Sequence, residues 1–365
     1  MRSIELSLSI LALFVAINYF IPWLSDPVKY KFLPIALVLV AGAQLIFEGF
    51  RWQLWPLFIG IAILIIIALT QTKGLGTSIS IGISILLALI SVMAAKLLPI
   101  PKPYPITGPY QVGTTVAHLT DSSRQELYGK DPNAPREIMV QVWYPAEATK
   151  DNEQVQWMQD IEAAAPAIAT YIDLPPFALN HLKYVKANAY IDAPPITTDD
   201  GFPILIFSHG WAGFKEQNIF QVEELASHGY TVIGISHTYG AVLTVFPDGR
   251  QAPRNPEALP SGVSKEEYDQ ASNLLVRQWA QDIGFVIDDW KTRSAVLYQL
   301  TVVGEAVKRL SKEFRAQHTH IPWALIAVMR DHLIHGYDLV DWDEVWQTAK
   351  KDIPDLLLKI EQLSL

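Results

Sequence analysis

The sequence predicts a multi-domain protein: four transmembrane helices, then an incomplete α/β sheet, then an all-α segment. Three observations predict this. Four apolar runs fill residues 1–100, a strand–turn–helix–strand pattern fills 202–241, and the last seventy residues repeat apolar side chains at three- and four-residue steps. Hydrophobic residues make up 50% of the chain, and the mean hydropathy of +0.19 is high for a soluble protein. The net charge of −9 argues against general attraction to phosphate backbones, so a nucleic-acid role requires a local basic patch. Cysteine is absent, which excludes disulfides, thiolate metal sites and a cysteine nucleophile and leaves the compartment open.

The apolar runs are "LSLSILALFVAINYFIPWL" (6–24), "LPIALVLVAGAQLIF" (33–47), "LWPLFIGIAILIIIALT" (54–70) and "SISIGISILLALISVMAA" (78–95). Each approaches the ~20 residues that cross a bilayer, the second being short. Removal of a signal peptide would account for the first run alone. Trp23, Tyr30, Trp52 and Trp55 flank the runs, where aromatic rings favour the membrane interface. Asn18, Gln44 and Glu48 are the strongly polar residues in or beside them, too few for a transport path, so the region reads as an anchor. With the N-terminus inside, Arg2, Arg51, Lys96 and Lys102 face Lys29, Lys31 and Lys73 across the bilayer. That balance predicts a multi-pass protein of a bacterial inner membrane with its C-terminal part in the cytoplasm. A stiff Pro-rich linker, 101–109, lies within "PIPKPYPITGPY" (99–110).

In the middle of the chain, "REIMVQVWYPAE" (136–147) alternates like a strand, and "FPILIFSHGWAGFKEQNIFQVEELASHGYTVIGISHTYGA" (202–241) reads as a βαβ unit. Residues from about 105 to 288, with "TGPYQVGTT", "VQVWYPAE", "FPILIFSHGWAG", "LASHGYTVIGISH" and "TVFPDGR", resemble the α/β-hydrolases similar to platelet-activating factor acetylhydrolase, the domain itself taking 110–288. The resemblance implies that the turn His209, Gly210, Trp211 supports an oxyanion hole built from the Gly210 and Trp211 N–H groups. The bland alternative is that Gly210 and Gly213 merely permit a tight turn. Such a hydrolase needs a G-x-S-x-G elbow on a later strand, followed by Asp and His. Ser78, Ser84, Ser236 and Ser264 follow a glycine two places earlier, and all lack the second glycine. His209 and His237 stand in the wrong chain order for the triad histidine. The domain therefore reads as truncated and its turn as vestigial.

The tail, 289–365, with 264–288 available as a helix to borrow, reads as helical. Val296, Leu300, Val303, Val307 and Leu310 form one amphipathic face. A second helix begins near Pro322 and stops at Gly336, and a third is kinked or restarted at Pro354. "TRSAVLYQLTVVGEAVKRLS", "IPWALIAVMRDHLIHGYD" and "VWQTAKKDIPDLL" resemble the HepT-like (DUF86) ribonuclease toxins of the HEPN class. The family's R-x4-H-x-Y pattern falls on Arg330, His335 and Tyr337. The resemblance implies metal-independent RNA cleavage by Arg330 and His335 at a homodimer interface, with no cofactor. It also implies a nucleotidyltransferase antitoxin that silences the toxin by modifying Tyr337 with AMP. The chemistry suits these residue types: histidine moves the 2′-hydroxyl proton near neutral pH, and arginine neutralises a phosphorane through its planar fork.

Spacing adds a constraint. Residues five apart on an ideal helix differ by about 140°, so Arg330 and His335 do not share a face. Either the helix ends at Ile334–Gly336 and swings His335 round, or two protomers complete the site. Lys308, Arg309, Lys312 and Arg315 supply the local basic patch. His318 with His320, or His332 and His335 with Asp341, lack convincing metal-ligand spacing. The two resemblances meet at a junction near 286–292. Three functions follow: a membrane-anchored HepT-like ribonuclease, an acetylhydrolase-like carboxylic-ester hydrolase without a visible elbow, or a non-catalytic fusion.

Overall fold

A computed structural model of the protein describes residues 1–20, 27–147, 153–196, 198, 201–335 and 341–362. It divides into two compact units, Met1–Val116 with Gln141–Arg254, and Ala117–Val140 with Asn255–Leu365.

The first unit begins with α1 (Ser3–Phe20), α2 (Pro27–Ala43), α3 (Trp55–Thr70) and α4 (Leu75–Leu97). Three segments, Ser3–Phe20, Trp52–Thr70 and Leu75–Leu97, are long and apolar enough to cross a membrane, not the four expected from composition. The second run falls short: its apolar helix is Phe32–Glu48. That stretch is shorter than the ~20 residues that cross a bilayer. Pro34 sits inside α2, and its last turn loosens into a π-turn over Gln44–Glu48. Of the first predicted run, residues 21–24 lie outside the described residues.

These helices are inverted relative to soluble ones. Ile10, Phe14, Leu39, Leu86 and Met93 are exposed, while the buried seam includes small residues, Ala12, Ala88 and Ser91. A Cβ at Gly60 would stand 3.1 Å from the Ser84 carbonyl oxygen, so α3 and α4 approach closely through small residues. Ser91 Oγ accepts a hydrogen bond from Leu57 N–H at 2.8 Å. At one end of the bundle Arg51 reaches Glu5 at 2.6 Å with both side chains fully buried, and Arg2 donates to the Glu48 and Gly49 carbonyls.

The sheet follows: β1 (Gln111–Gln125), β2 (Pro135–Ala146), β3 (Gln154–Gln156), then α5 (Ile161–Tyr171), β4 (Lys186–Ile191), β5 (Ile204–Ser208), α6 (Ile219–Ser227) and β6 (Thr231–Ser236). Spatial order is β3-β4-β1-β2-β6-β5. The predicted βαβ unit is β5–α6–β6, with the strands parallel in register Ile204↔Thr231 to Ser208↔Ile235. β2 was expected to alternate. It is instead buried on nearly every residue, because a central strand is covered on both faces. β5 closes the sheet, and among the described residues no strand lies beyond it. A hairpin, β7 (Leu243–Val245) with β8 (Gln251–Pro253), completes the unit. The Pro-rich stretch is pinned to α6: Thr107 bonds Glu224, and Gly108 N–H donates to Ser227 Oγ at 3.1 Å.

The second unit contains α7 (Lys265–Arg309), α8 (Lys312–Gln317), α9 (Trp323–His335), α10 (Trp342–Gln347) and α11 (Ile353–Glu361). The expected junction at 286–292 lies inside α7, one uninterrupted helix of 45 residues started by a Ser264–Glu267 capping box. Its N-terminal half is held by buried charge. Asp282 accepts from Arg136 at 2.7 Å and from Arg124 at 3.0 Å, and Arg136 also meets Glu126 at 2.6 Å. Its C-terminal half packs Val303 and Val307 with Ile321, Trp323, Ile326, Ile353 and Leu356. The kink foreseen at Pro354 takes the form of a π-turn, Thr348–Asp352, since proline removes a donor and crowds the preceding turn.

Candidate active site

Arg330 is set where α9 crosses α7. The crossing is close because position 304 is glycine: a Cβ there would overlap Arg330 Cβ and stand 3.0 Å from its Cγ. The guanidinium lies between two carboxylates, with NH2 3.1 Å from Glu305 Oε2 and NH1 3.1 Å from Asp331 Oδ1. Lys308 also pairs with Asp331. Lys308 first, and Arg330 after it, hold the Asp331 carboxyl below its usual range. Arg330 Nε is buried without a hydrogen-bond partner.

α9 keeps helical backbone through His335, its last residue. Arg330 and His335 therefore sit five places apart on one helix, about 140° apart in projection. His332 is exposed, and Tyr337 lies outside the described residues. Of the expected basic patch, Lys308 is engaged with Asp331 and Arg309 stands 3.7 Å from Glu305. The His318 and His320 rings are 6.1 Å apart, and no group of three histidine or acidic side chains suited to a metal gathers among the described residues.

The second site is the turn after β5. His209 is buried, with Nδ1 2.7 Å from the Gly210 carbonyl oxygen. Its Nε2 accepts the His237 N–H at 3.2 Å. One donated and one accepted bond require a neutral ring protonated on Nδ1. Burial, with His237 as the second cause, pushes its pKa down to about 4. Gly210 is open, with nothing within 4 Å of an added Cβ. The strained conformation falls instead on Ala212, at φ +56°. Ser208 Oγ lies 2.9 Å from His237 Nε2, the distance of a nucleophile–base pair. His237 is fully buried, and its ring centre is 5.2 Å from that of His209.

Two family models match the chain. Residues 274–363 match "Ribonuclease HepT-like", and residues 99–292, more than half of the chain, match "Platelet-activating factor acetylhydrolase, isoform II". The chain belongs to both families.

The HepT-like part is 42% identical over 91 residues to a probable ribonuclease HepT of Thermococcus cleftensis, covering 24% of this chain and 83% of that protein. It is 46% identical over 79 residues to a putative RNase of Caldanaerobacter subterraneus, covering 22% and 70%. A Methanocaldococcus jannaschii protein named as a gamma-glutamylcyclotransferase and putative RNase is 46% identical over 71 residues, covering 19% of this chain and 32% of that one. The chain has a structural likeness to a ferulic acid esterase from Streptomyces cinnamoneus, with TM-score 0.42 and 25% identity. The match covers 52% of this chain and spans about half, 49%, of that esterase.

The HepT-like and acetylhydrolase-like matches overlap at 274–292, on the continuous helix α7. The α7–α9 crossing also brings to Arg330 three residues that sequence reasoning missed: Gly304, Glu305 and Asp331. Glu305 offered only an i,i+4 relation to Arg309, and Asp331 only its adjacency to Arg330. Neither identifies a partner across two helices.

Proposed function

We propose that this chain is a membrane-anchored, HepT-like ribonuclease that cleaves RNA without a metal or other cofactor. The observation that carries the proposal is the 274–363 family match, which spans both helices of the Arg330 crossing. In this reading His335 moves the 2′-hydroxyl proton and Arg330 neutralises the charge that develops on phosphorus. Glu305 and Asp331 hold the guanidinium until a phosphate displaces them. Because Arg330 and His335 diverge on α9, two protomers complete each site, and the protein works as a homodimer. Tyr337 is the control point, modified by a cognate nucleotidyltransferase antitoxin. The outward apolar faces of the first helices meet the lipid bilayer of a bacterial inner membrane.

The test is cleavage of single-stranded RNA in chelator by the detergent-solubilised full chain. His335→Ala should lower the rate by ~10²–10⁴-fold, the usual worth of a positioned acid–base group. His332→Ala should change little, and Tyr337→Phe should cleave yet escape silencing. Equal rates for His335→Ala and the parent protein would remove the assignment.

A second reading, an esterase, is supported by the 99–292 match and by the Ser208–His237 contact. It requires that contact to act as a nucleophile pair without a G-x-S-x-G elbow.

A further inference from the structure

From Tyr171, the last residue of α5, toward the Asn180–Tyr184 turn, the stretch 171–177 ("YIDLPPF") is exposed at all seven positions. Four of its side chains are large and apolar: Tyr171, Ile172, Leu174 and Phe177 are 44%, 50%, 39% and 51% exposed. The rest are Asp173 and two prolines. A soluble surface scatters such residues singly, and a continuous apolar patch marks an interaction site.

The loop is built to stay in this shape. Asp173 takes the left-handed conformation at φ +59°. Leu174 N–H then bonds back to the Ala169 carbonyl at 2.8 Å, which ends α5 in a Schellman turn. Pro175 and Pro176 fix the following backbone, and Ala178 N–H closes on the Pro175 carbonyl at 2.8 Å. With little chain freedom left, Leu174 and Phe177 cannot fold back under cover.

Its position points to the partner. Phe177 packs edge-on against Trp52 at 5.3 Å between ring centres, and Trp52 Nε1–H donates to the Ala178 carbonyl at 3.1 Å. Trp52 opens the apolar segment Trp52–Thr70. Nearby, Trp55 is 58% exposed and packs on Phe50 at 5.4 Å. Indole rings at the end of a spanning helix mark the headgroup level of a bilayer. Tyr184, just beyond the loop, donates to the Phe50 carbonyl at 2.7 Å, with Arg2 stacked on its ring at 4.7 Å. The apolar loop thus continues the aromatic level of the helix ends.

We propose that residues 171–177 form an interfacial membrane contact, with Ile172, Leu174 and Phe177 seated among lipid headgroups and upper acyl chains beside the helix bundle. The proposal rests on the membrane reading above. Arg254 stacks on Tyr171 at 5.0 Å and on Trp211 at 5.4 Å, so this seating also brings the turn after β5 near the lipid surface.

The absence of native cysteine allows a direct test in the full chain. Single variants Leu174→Cys, Ile172→Cys and Met93→Cys, the last on the outward face of α4, are labelled with a polarity-sensitive fluorophore. The protein is then reconstituted into phosphatidylcholine–phosphatidylglycerol vesicles. Seating in the interface gives blue-shifted emission at 172 and 174, loss of intensity with a nitroxide near the top of the acyl chain, and protection from aqueous iodide. Quenching at 93 with water-like emission at both loop positions overturns the proposal and leaves the membrane reading intact. No lipid quenching at any of the three overturns both.

Discussion

Replacing Gly304 by alanine tests whether Arg330 acts from its place against α7. The added Cβ would overlap Arg330 Cβ and lie 3.1 Å from the Ile326 carbonyl oxygen, where ordinary carbon contacts need about 3.5–4.0 Å. The Arg330 Cβ is fixed to its backbone, so no rotamer relieves the overlap, and α9 must shift by on the order of 1 Å. Overpacking of this kind costs ~1–3 kcal/mol, and alanine returns about 1 kcal/mol of helix propensity. The net loss of roughly 0–2 kcal/mol leaves the unit folded. The displacement matters more for rate, since a shift of about 1 Å in a positioned group can cost ~10²-fold. The assay pairs thermal melting with single-turnover cleavage of RNA. Expected are a nearly unchanged melt and a rate about a hundred times lower. Gly284→Ala on the same helix, where an added Cβ meets nothing within 4 Å, should keep the full rate. Parental cleavage by Gly304→Ala would refute the role of this crossing.

Two further outcomes concern the turn after β5. A fluorophosphonate probe should leave Ser208 unlabelled, because Ser208 stands outside any G-x-S-x-G elbow; stoichiometric labelling lost in Ser208→Ala would establish the esterase reading instead. Stability should also fall as pH drops from about 6.5 toward 4. His209 has a folded pKa near 4, below its unfolded value, so the stability of its neutral form is present above the unfolded pKa and lost below it. At ~1.4 kcal/mol per unit the loss approaches roughly 3 kcal/mol. Chemical denaturation followed by tryptophan fluorescence at both pH values measures it, and His209→Gln should flatten the dependence.

What the sequence made legible was whatever repeats locally. The β5–α6–β6 unit and the helices about 296–310 and 323–335 have clear periods, and periodicity survives folding. α2 was overrated because hydropathy counts apolar residues without weighing Pro34. The burial of β2 on both faces depends on its neighbours, β1 and β6, which a strand does not encode by itself. The partners of Arg330 were invisible because Glu305 lies on another helix. The continuity of α7 was readable: Ser264 and Glu267 announce its start, and no proline intervenes between Pro260 and Pro322. The two family resemblances meet near 286–292, within that helix.

That unbroken helix acts as a keyed shaft. Asp282, gripped by Arg136 and Arg124, and Gly304, seated against α9, are separated by about 22 residues, or ~33 Å of axis, and their directions differ by only about 40°. Gain or loss of a single residue between them would turn one grip by about 100° relative to the other. Either Asp282 would leave its arginines or the Arg330 crossing would come apart. Joining these two families within α7 therefore constrains the exact number of residues in between, much as a splined coupling accepts only whole teeth. Length variation among related fusions should then be rare in this interval, or come in steps of seven or eleven residues that nearly restore the phase.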